Sequence, residues 1–274
     1  TEESQRYFFC AEDKRFSEND SQIISKGFTI FAKHVIIKAH FTGIEGSNMP
    51  RKPAAPEDLS AKKALALEVI ARLKKEYPDA ACTLDYDHAW QLLVSVRLAA
   101  QCTDARVNIV VEDLFAKYPS VAALAAAEPE EIEAIVKPCG LGHSKARDIS
   151  ACMRMLRDKY DCKVPTTFEE LLALPGVGRK SANLIMGDVF GKPAIVTDTH
   201  CIRLCNKIGL VDGIKEPQKV EMALWKIIPP EEGSDLCHRF VMHGRAVCNA
   251  RKPECEKCCL SDICRYAREE ASNV

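Results

Sequence analysis

Four cysteines near the C-terminal end constrain the fold of this 274-residue chain more than any other feature. Their spacing is C-x6-C-x2-C-x5-C, within 17 residues, and they are Cys248, Cys255, Cys258 and Cys264. Because the loops between them are so short, four thiolates can surround one soft metal centre. A zinc ribbon usually pairs two C-x2-C knuckles across a longer gap, and only one such pair is present. The spacing favours an iron–sulfur cluster over zinc, with reduced structural thiols as the third alternative.

The rest of the composition limits the class of protein. With 47% hydrophobic and 28% charged residues, the chain is not a disordered, collagen-like or coiled-coil sequence. Its 14 cysteines could suggest a disulfide framework, but such frameworks belong to short secreted chains. The first ten residues, TEESQRYFFC, resemble neither a secretory signal nor an Arg-rich transit peptide. No window approaches the ~18 consecutive apolar residues of a membrane span. We therefore expect the cysteines to be free thiols and metal ligands in a protein of the reducing cytoplasm that does not associate with a membrane.

Residues 1–48 differ in composition from the remainder. They contain no Leu and no Pro, whereas residues 49–274 contain 21 Leu and all 14 Pro. The first methionine is Met49. We predict that residues 1–48 are a non-native or disordered leader, translated ahead of a true start at Met49. The alternative is a genuine extension whose apolar segment, residues 27–41, docks on the body. Peptides from residues 1–48 in the native protein would reject the first hypothesis.

From Leu59 onward the apolar residues recur at helical spacing. Ser60 is a candidate cap for a first helix that ends before Pro78. No alternating pattern typical of a strand has a useful length, so the predicted class is all-α. Further helices are predicted at about 88–100, 103–117, 122–127, 129–136, 144–160, 168–174, 179–190, 199–208, 216–228 and 236–247.

The sequence L-P-G-V-G at 174–178 lies between two of these helices. Two glycines permit a tight turn whose backbone N–H groups, with the dipole of the next helix, can bind a phosphate. The alternative is a plain helix–helix turn. Lys180 follows in the first turn of the next helix, where the dipole disfavours the charged ammonium and exposes a neutral amine. Such an amine is a nucleophile of the Schiff-base kind, although Lys180 could also be a simple phosphate contact.

Asp198 begins the helix that follows, within the sequence V-T-D-T-H. One interpretation is a helix N-cap. The other is a carboxylate that faces the amine of Lys180 and stabilises a cationic sugar, as in glycoside cleavage.

The net charge of the chain is only −1, but positive charge is concentrated in two segments. Residues 139–207 carry 11 Lys/Arg against 7 Asp/Glu, and residues 239–265 carry 6 against 3. Basic patches of this kind can hold phosphates on one docking face.

Taken together, L-P-G-V-G-R-K-S-A-N, T-D-T-H and the four-cysteine pattern resemble endonuclease III, the iron–sulfur branch of the helix-hairpin-helix DNA glycosylases. The resemblance covers about residues 60–268. It implies that residues 82–192 form a six-helix barrel, which contains the hairpin. A second domain would join an N-terminal helix, within 49–81, to C-terminal helices and one [4Fe-4S] cluster at 193–274. It also implies a monomeric, nucleoid-associated prokaryotic enzyme that binds damaged double-stranded DNA in a cleft between the domains and flips the damaged base out.

Carried over residue by residue, the resemblance makes Lys180 the nucleophile that attacks C1′ of the sugar and Asp198 the catalytic carboxylate. An oxidised pyrimidine leaves, and β-elimination through the Schiff base cuts the strand 3′ to the lesion. From the pattern alone, Gln101 is a surface residue and Leu141 a core residue. The resemblance instead makes Gln101 the plug for the flipped base's place and Leu141 a wedge. The remaining implied DNA contacts are Gly176, Val177, Gly178, Arg179, Arg251 and Lys252.

Two other functions fit parts of the pattern. The mismatch adenine glycosylase of the same superfamily has the cluster and the aspartate but typically lacks a lysine at the position of Lys180. A catalytically silent helix-hairpin-helix module would bind DNA without cleaving it. Covalent trapping on abasic DNA distinguishes these two alternatives from a bifunctional enzyme, because only a bifunctional enzyme becomes linked through Lys180.

Overall fold

The computed structural model describes residues 56–272, with side chains from Leu59 onward. The predictions for residues 1–48 lie outside this range. Every regular element within it is helical, and there is no strand, which confirms the all-α class. The twelve α-helices are α1 (Pro56–Glu76), α2 (Ala89–Leu98), α3 (Asp104–Lys117), α4 (Val121–Ala126), α5 (Pro129–Val136), α6 (Gly142–Lys159), α7 (Phe168–Ala173), α8 (Arg179–Asp188), α9 (Thr199–Ile208), α10 (Pro217–Leu224), α11 (Gly233–Ala246) and α12 (Arg265–Ser272).

Several helices begin where a side chain accepts a hydrogen bond from the first turn. Thr103 caps α3, Ser120 caps α4 and Thr167 caps α7. The predicted cap at Ser60 is wrong, because α1 already begins at Pro56 and Ser60 lies inside it. A proline is favoured at the first helical position, where its fixed φ suits the helix and its missing N–H costs nothing.

The first hydrophobic core is formed by α2 to α8. Its centre contains Leu92, Leu114 and Met153, which are completely buried. The long helix α6 packs against both α4 and α5. Its apolar side chains recur at helical spacing on the buried face.

The second hydrophobic core combines α1 with α9, α10, α11 and the cysteine-bearing segment. Val69 and Leu73 of α1 have no exposed surface, so each contributes roughly 1.5–3 kcal/mol of burial. Arg72 of α1 also donates to the backbone oxygen of Cys259 at 3.0 Å. An N-terminal helix thus completes a core whose other members come from the last third of the chain.

The helix α8 connects the two cores. Leu184, on α8, packs against both. Gly187 permits a close approach to α11, since a Cβ at this position would lie 2.3 Å from Oγ of Ser234. The helix α8 therefore lies where the two cores meet. None of the helices between residues 56 and 272 is long and apolar enough to cross a bilayer.

Candidate functional site

The loop between α7 and α8, residues 174–178, is a tight turn that only glycine allows at its centre. Gly176 has φ +75°, and a Cβ there would lie 2.9 Å from Cβ of Asp148 and 3.1 Å from Cδ of Arg97. A Cβ at Gly178 would meet nothing within 4 Å, so this side of the turn is open. The N–H of Val177 donates within the turn, to the oxygen of Leu174 at 3.1 Å. The N–H groups available to an anion are therefore those of Gly178 and the first turn of α8.

Arg179, the first residue of α8, uses its side chain within the fold. Its guanidinium forms a bidentate pair with Glu221 of α10, at 2.7 and 2.8 Å, and lies 5.0 Å from the ring centre of Phe168. Glu221 is only 2% exposed. Because a buried carboxylate takes up its charge, Arg179 can offer an anion its backbone N–H rather than its guanidinium.

Lys180, the next residue, is exposed. Its charge affects two titratable groups on other helices. Burial pushes the pKa of Asp104 upward, but hydrogen bonds from Thr83 and Arg245, with the charges of Arg245 and Lys180, outweigh burial and lower that pKa. Burial lowers the pKa of His200; Asp198 opposes this shift, and nearby cations including Lys180 add to it. Lys180 and Asp198 are therefore both within electrostatic range of one imidazole.

Asp198 is the N-cap of α9, as predicted. Its Oδ1 accepts from the backbone N–H of Cys201 at 2.7 Å, and the side chain is half-buried. Within residues 56–272, its Oδ2 has no hydrogen-bond partner. The cap fixes the carboxylate while its second oxygen remains available to a ligand.

An ion pair connects α3 of the first core to α11 of the second core. Asp104 at the start of α3 accepts from Arg245 of α11 at 2.7 Å and from Thr83 at 2.6 Å. Sequence reasoning missed this pair, because its partners are 141 residues apart. It also missed His200, although that residue lies in the T-D-T-H sequence.

Gln101 and Leu141 project from two neighbouring loops of the first core, and both have left-handed backbone conformations. Their φ angles are +57° and +52°, which cost roughly 1–2 kcal/mol each for residues with a Cβ. Leu141 is 57% exposed, so the interpretation as a core residue, made from the pattern alone, is wrong. An exposed leucine in a strained loop suits a contact with an apolar partner.

The four predicted metal ligands line one cavity. Cys248, Cys255, Cys258 and Cys264 surround a space of about 270 Å³, including its open mouth, together with Lys207. Burial raises the pKa of the Cys258 thiol to about 12. Among residues 56–272 no three metal-ligating side chains converge on a single point. The all-cysteine donor set is chemically suited to a soft metal.

Arg251 and Lys252 lie in the loop between the first two of these cysteines. Both are exposed, and the N–H of Lys252 donates to Oδ1 of Asn249 at 3.1 Å. The N–H of Glu254 donates to the oxygen of Val247 at 3.0 Å, which closes the loop. The structure therefore presents two cations to solvent beside the cysteine-lined cavity.

Comparisons with known proteins agree with one another. Residues 94–230 match the family of HhH-GPD superfamily base excision DNA repair proteins. Endonuclease III of Synechocystis sp. is 43% identical over 77% of this chain and 96% of that protein. Endonuclease III of Escherichia coli K12 is 38% identical over 74% of this chain and 96% of that protein.

The solved structures agree with the relatives. A trapped endonuclease III–DNA covalent intermediate has 40% identity and a TM-score of 0.72, covering 76% of this chain and 98% of the other. A non-covalent endonuclease III–DNA complex gives 40% identity and a TM-score of 0.73. A thermostable thymine-DNA glycosylase, at 21% identity and a TM-score of 0.66, shares the fold. The chain belongs to the endonuclease III family of HhH-GPD base excision DNA repair proteins.

Proposed function

We propose that this protein is a bifunctional DNA glycosylase that removes oxidised pyrimidines from duplex DNA and cleaves the resulting abasic site by β-elimination. One observation carries the proposal. An exposed lysine directly after a glycine hairpin and an aspartate that caps the next helix with one carboxylate oxygen left free among residues 56–272 occur together in a chain of the endonuclease III family. A DNA-binding module without catalysis would have no need of this pairing.

In the proposed reaction, Nζ of Lys180 attacks C1′ of the damaged nucleotide. The bond between C1′ and the base breaks, and the base leaves with the electron pair and takes up a proton. Asp198 faces the cationic sugar and stabilises it, as carboxylates do in glycoside cleavage. The C1′–O4′ bond of the sugar then breaks and O4′ takes up a proton, while the amine nitrogen loses a proton and forms a double bond to C1′. The resulting Schiff base acidifies the protons on C2′. Loss of one of these protons expels the 3′ phosphate and cuts the strand.

The DNA contacts follow from the same arrangement. The N–H groups of Gly178 and the first turn of α8 hold a phosphate without reading sequence. Gln101 fills the place of the flipped base, and Leu141 enters the stack beside it. Arg251 and Lys252 contact the phosphates of the same duplex. The bound duplex therefore contacts both the first and the second core.

We also propose that the four cysteines hold one [4Fe-4S] cluster per chain. The all-cysteine donor set fits it. A single zinc ion needs four sulfurs about 2.3 Å from one point, and among residues 56–272 no three metal-ligating side chains converge in that way. When bound, the cluster would cross-link residues 248–264. The residues themselves place Arg251 and Lys252 on an exposed loop beside it.

The proposal also covers the division into domains, the oligomeric state and the cellular location of the protein. The first core supports a barrel domain at 82–192, and the second supports a cluster domain made of 49–81 and 193–274. We infer a monomer, because a single chain supplies each proposed functional group. The bacterial relatives support a nucleoid-associated prokaryotic enzyme.

Borohydride trapping on DNA with one abasic site tests the function. The protein should become covalently linked, and Lys180→Gln should abolish linkage while it leaves duplex affinity nearly unchanged. The matched control is Lys117→Gln, an exposed lysine at the far end of α3, about 20 Å from Asp104 at ~1.5 Å per residue. Wild-type linkage by Lys180→Gln would remove that lysine from its role. A wild-type protein that binds abasic DNA but is never trapped would be a catalytically silent module.

A further inference from the structure

Lys145 is a lysine with no exposed surface, on the first turns of α6. A lysine is almost never fully buried without a compensating partner, and the positive end of a helix is an unfavourable place for a cation. Burial also lowers the pKa of Lys145. Sequence reasoning did not single it out, although it shares the buried face of α6 with Ile149, Met153 and Leu156. Such an unfavourable position calls for a specific role.

The partners of Lys145 are two backbone carbonyls on different loops. Its Nζ donates to the oxygen of Leu98 at 2.8 Å and to the oxygen of Cys139 at 2.8 Å. Leu98 ends α2, three residues before Gln101, and Cys139 lies two residues before Leu141. One ammonium therefore joins the bases of the two loops that carry both proposed DNA-probing side chains.

The backbone of Lys145 adds a third connection, because its N–H donates to the oxygen of Leu141 at 3.0 Å. The hairpin rests on the next turn of the same helix. Asp148 accepts from Nε of Arg97 at 2.9 Å, and Gly176 packs directly on this pair. The first two turns of α6 thus support both probing loops and the proposed phosphate site.

We propose that Lys145 is a positioning residue that fixes the Gln101 and Leu141 loops to each other, so that plug and wedge enter the duplex as one unit. The inference rests on the proposed function. Lys145 does not touch DNA. It acts by holding two left-handed residues at a constant separation, and neither loop alone has another buried cation to bind its carbonyls among residues 56–272.

The test compares a duplex, which has a base stack for Gln101 and Leu141 to enter, with a single strand, which has none. An abasic site is placed in a duplex and in a single strand of the same sequence, and single-turnover strand cleavage is measured. For Lys145→Met we expect the duplex rate to fall about 10- to 100-fold and the single-strand rate to change less than about twofold, since misplacement by an ångström costs about that much. Equal losses on both substrates would show a purely structural role and overturn the inference.

A second readout follows the probing step itself. With 2-aminopurine opposite the abasic site, insertion beside this base should change its fluorescence when wild-type protein saturates the duplex. Lys145→Met should lose most of this change at saturation. If the variant does not fold, Lys145→Leu, which also lacks a donor, is measured in the same two assays. A full fluorescence change in whichever variant folds would also overturn the inference.

Arg239→Met is the matched control, because Arg239 is a 3% exposed cation in the second core, away from both loops. It should lower the thermal midpoint without changing the duplex to single-strand ratio. A wild-type protein that cleaves neither substrate would count against the proposed function rather than against Lys145. A wild-type protein that cleaves both, with an unchanged ratio in Lys145→Met, would reject the positioning role alone.

Discussion

The hairpin at 174–178 and the cysteine segment at 248–264 both belong to the proposed DNA-binding surface, yet they are held in different ways. The hairpin is fixed by ordinary packing, since Gly176 rests on the ion pair of Arg97 and Asp148. The cysteine segment surrounds a cavity with four thiols and has few apolar side chains of its own; Leu260 is its completely buried anchor. The packing of the polypeptide holds the hairpin, whereas the proposed cluster, when bound, would cross-link the cysteine segment.

The largest expected effect separates the two regions. Cys258→Ala removes one cluster ligand and should abolish the visible iron–sulfur absorption of the purified protein. We expect the free energy of unfolding to fall by more than about 4 kcal/mol, because loss of a metal site belongs to the most destabilising class of substitution. Chemical denaturation and metal analysis measure both effects.

Cys152→Ala, in the first core and away from the cavity, is the control for Cys258→Ala, and it should keep the colour. Any fraction of Cys258→Ala that stays folded should still be trapped by borohydride, since Lys180 lies on α8, outside the cysteine segment. A variant with unchanged stability and colour would mean that the cysteine segment folds without a cluster.

The second expected effect falls on the hairpin. Gly176→Ala places a Cβ 2.9 Å from Asp148 in a backbone with φ +75°. We expect roughly 1–3 kcal/mol of destabilisation and an approximately tenfold or greater loss of duplex affinity, because the turn must shift to relieve the contact. Thermal unfolding and a binding titration measure the two quantities.

Gly178→Ala is the control for Gly176→Ala, because a Cβ at Gly178 meets nothing within 4 Å. It should destabilise the protein less. If Gly176→Ala binds duplex DNA like wild type, the hairpin is a plain turn and the phosphate is held elsewhere.

The smallest expected effect concerns the exposed loop of the cysteine segment. Lys252→Gln removes one proposed phosphate contact, so the slope of log affinity against log salt should decrease by about 0.9 for duplex DNA. Affinity titrations from low to high salt measure the slope. Lys226→Gln, an exposed lysine outside both basic patches, should leave it unchanged. An unaltered slope for Lys252→Gln would place the duplex away from this loop.

Local features of the fold could be predicted, whereas pairings between distant residues could not. The predicted helix at 199–208 coincides with α9, and Asp198 caps it as expected from its side chain. The pair of Arg179 and Glu221 could not be found, since 42 residues separate its members and each resembles ordinary surface charge. Leu141 was misassigned because an apolar residue is normally buried, and nothing in a single sequence marks a loop strained by its neighbours.

The left-handed backbones of Gln101 and Leu141 have a consequence for how such an enzyme would search a chromosome. Their conformations are already set before any DNA arrives, so contact with a duplex demands no refolding of either loop. We expect the inspection of each base step to be as fast as the base itself can leave its neighbours. The time needed to find a rare lesion would then depend on how fast bases unstack and on how fast the protein slides along DNA. Rearrangement of the two loops would not limit it.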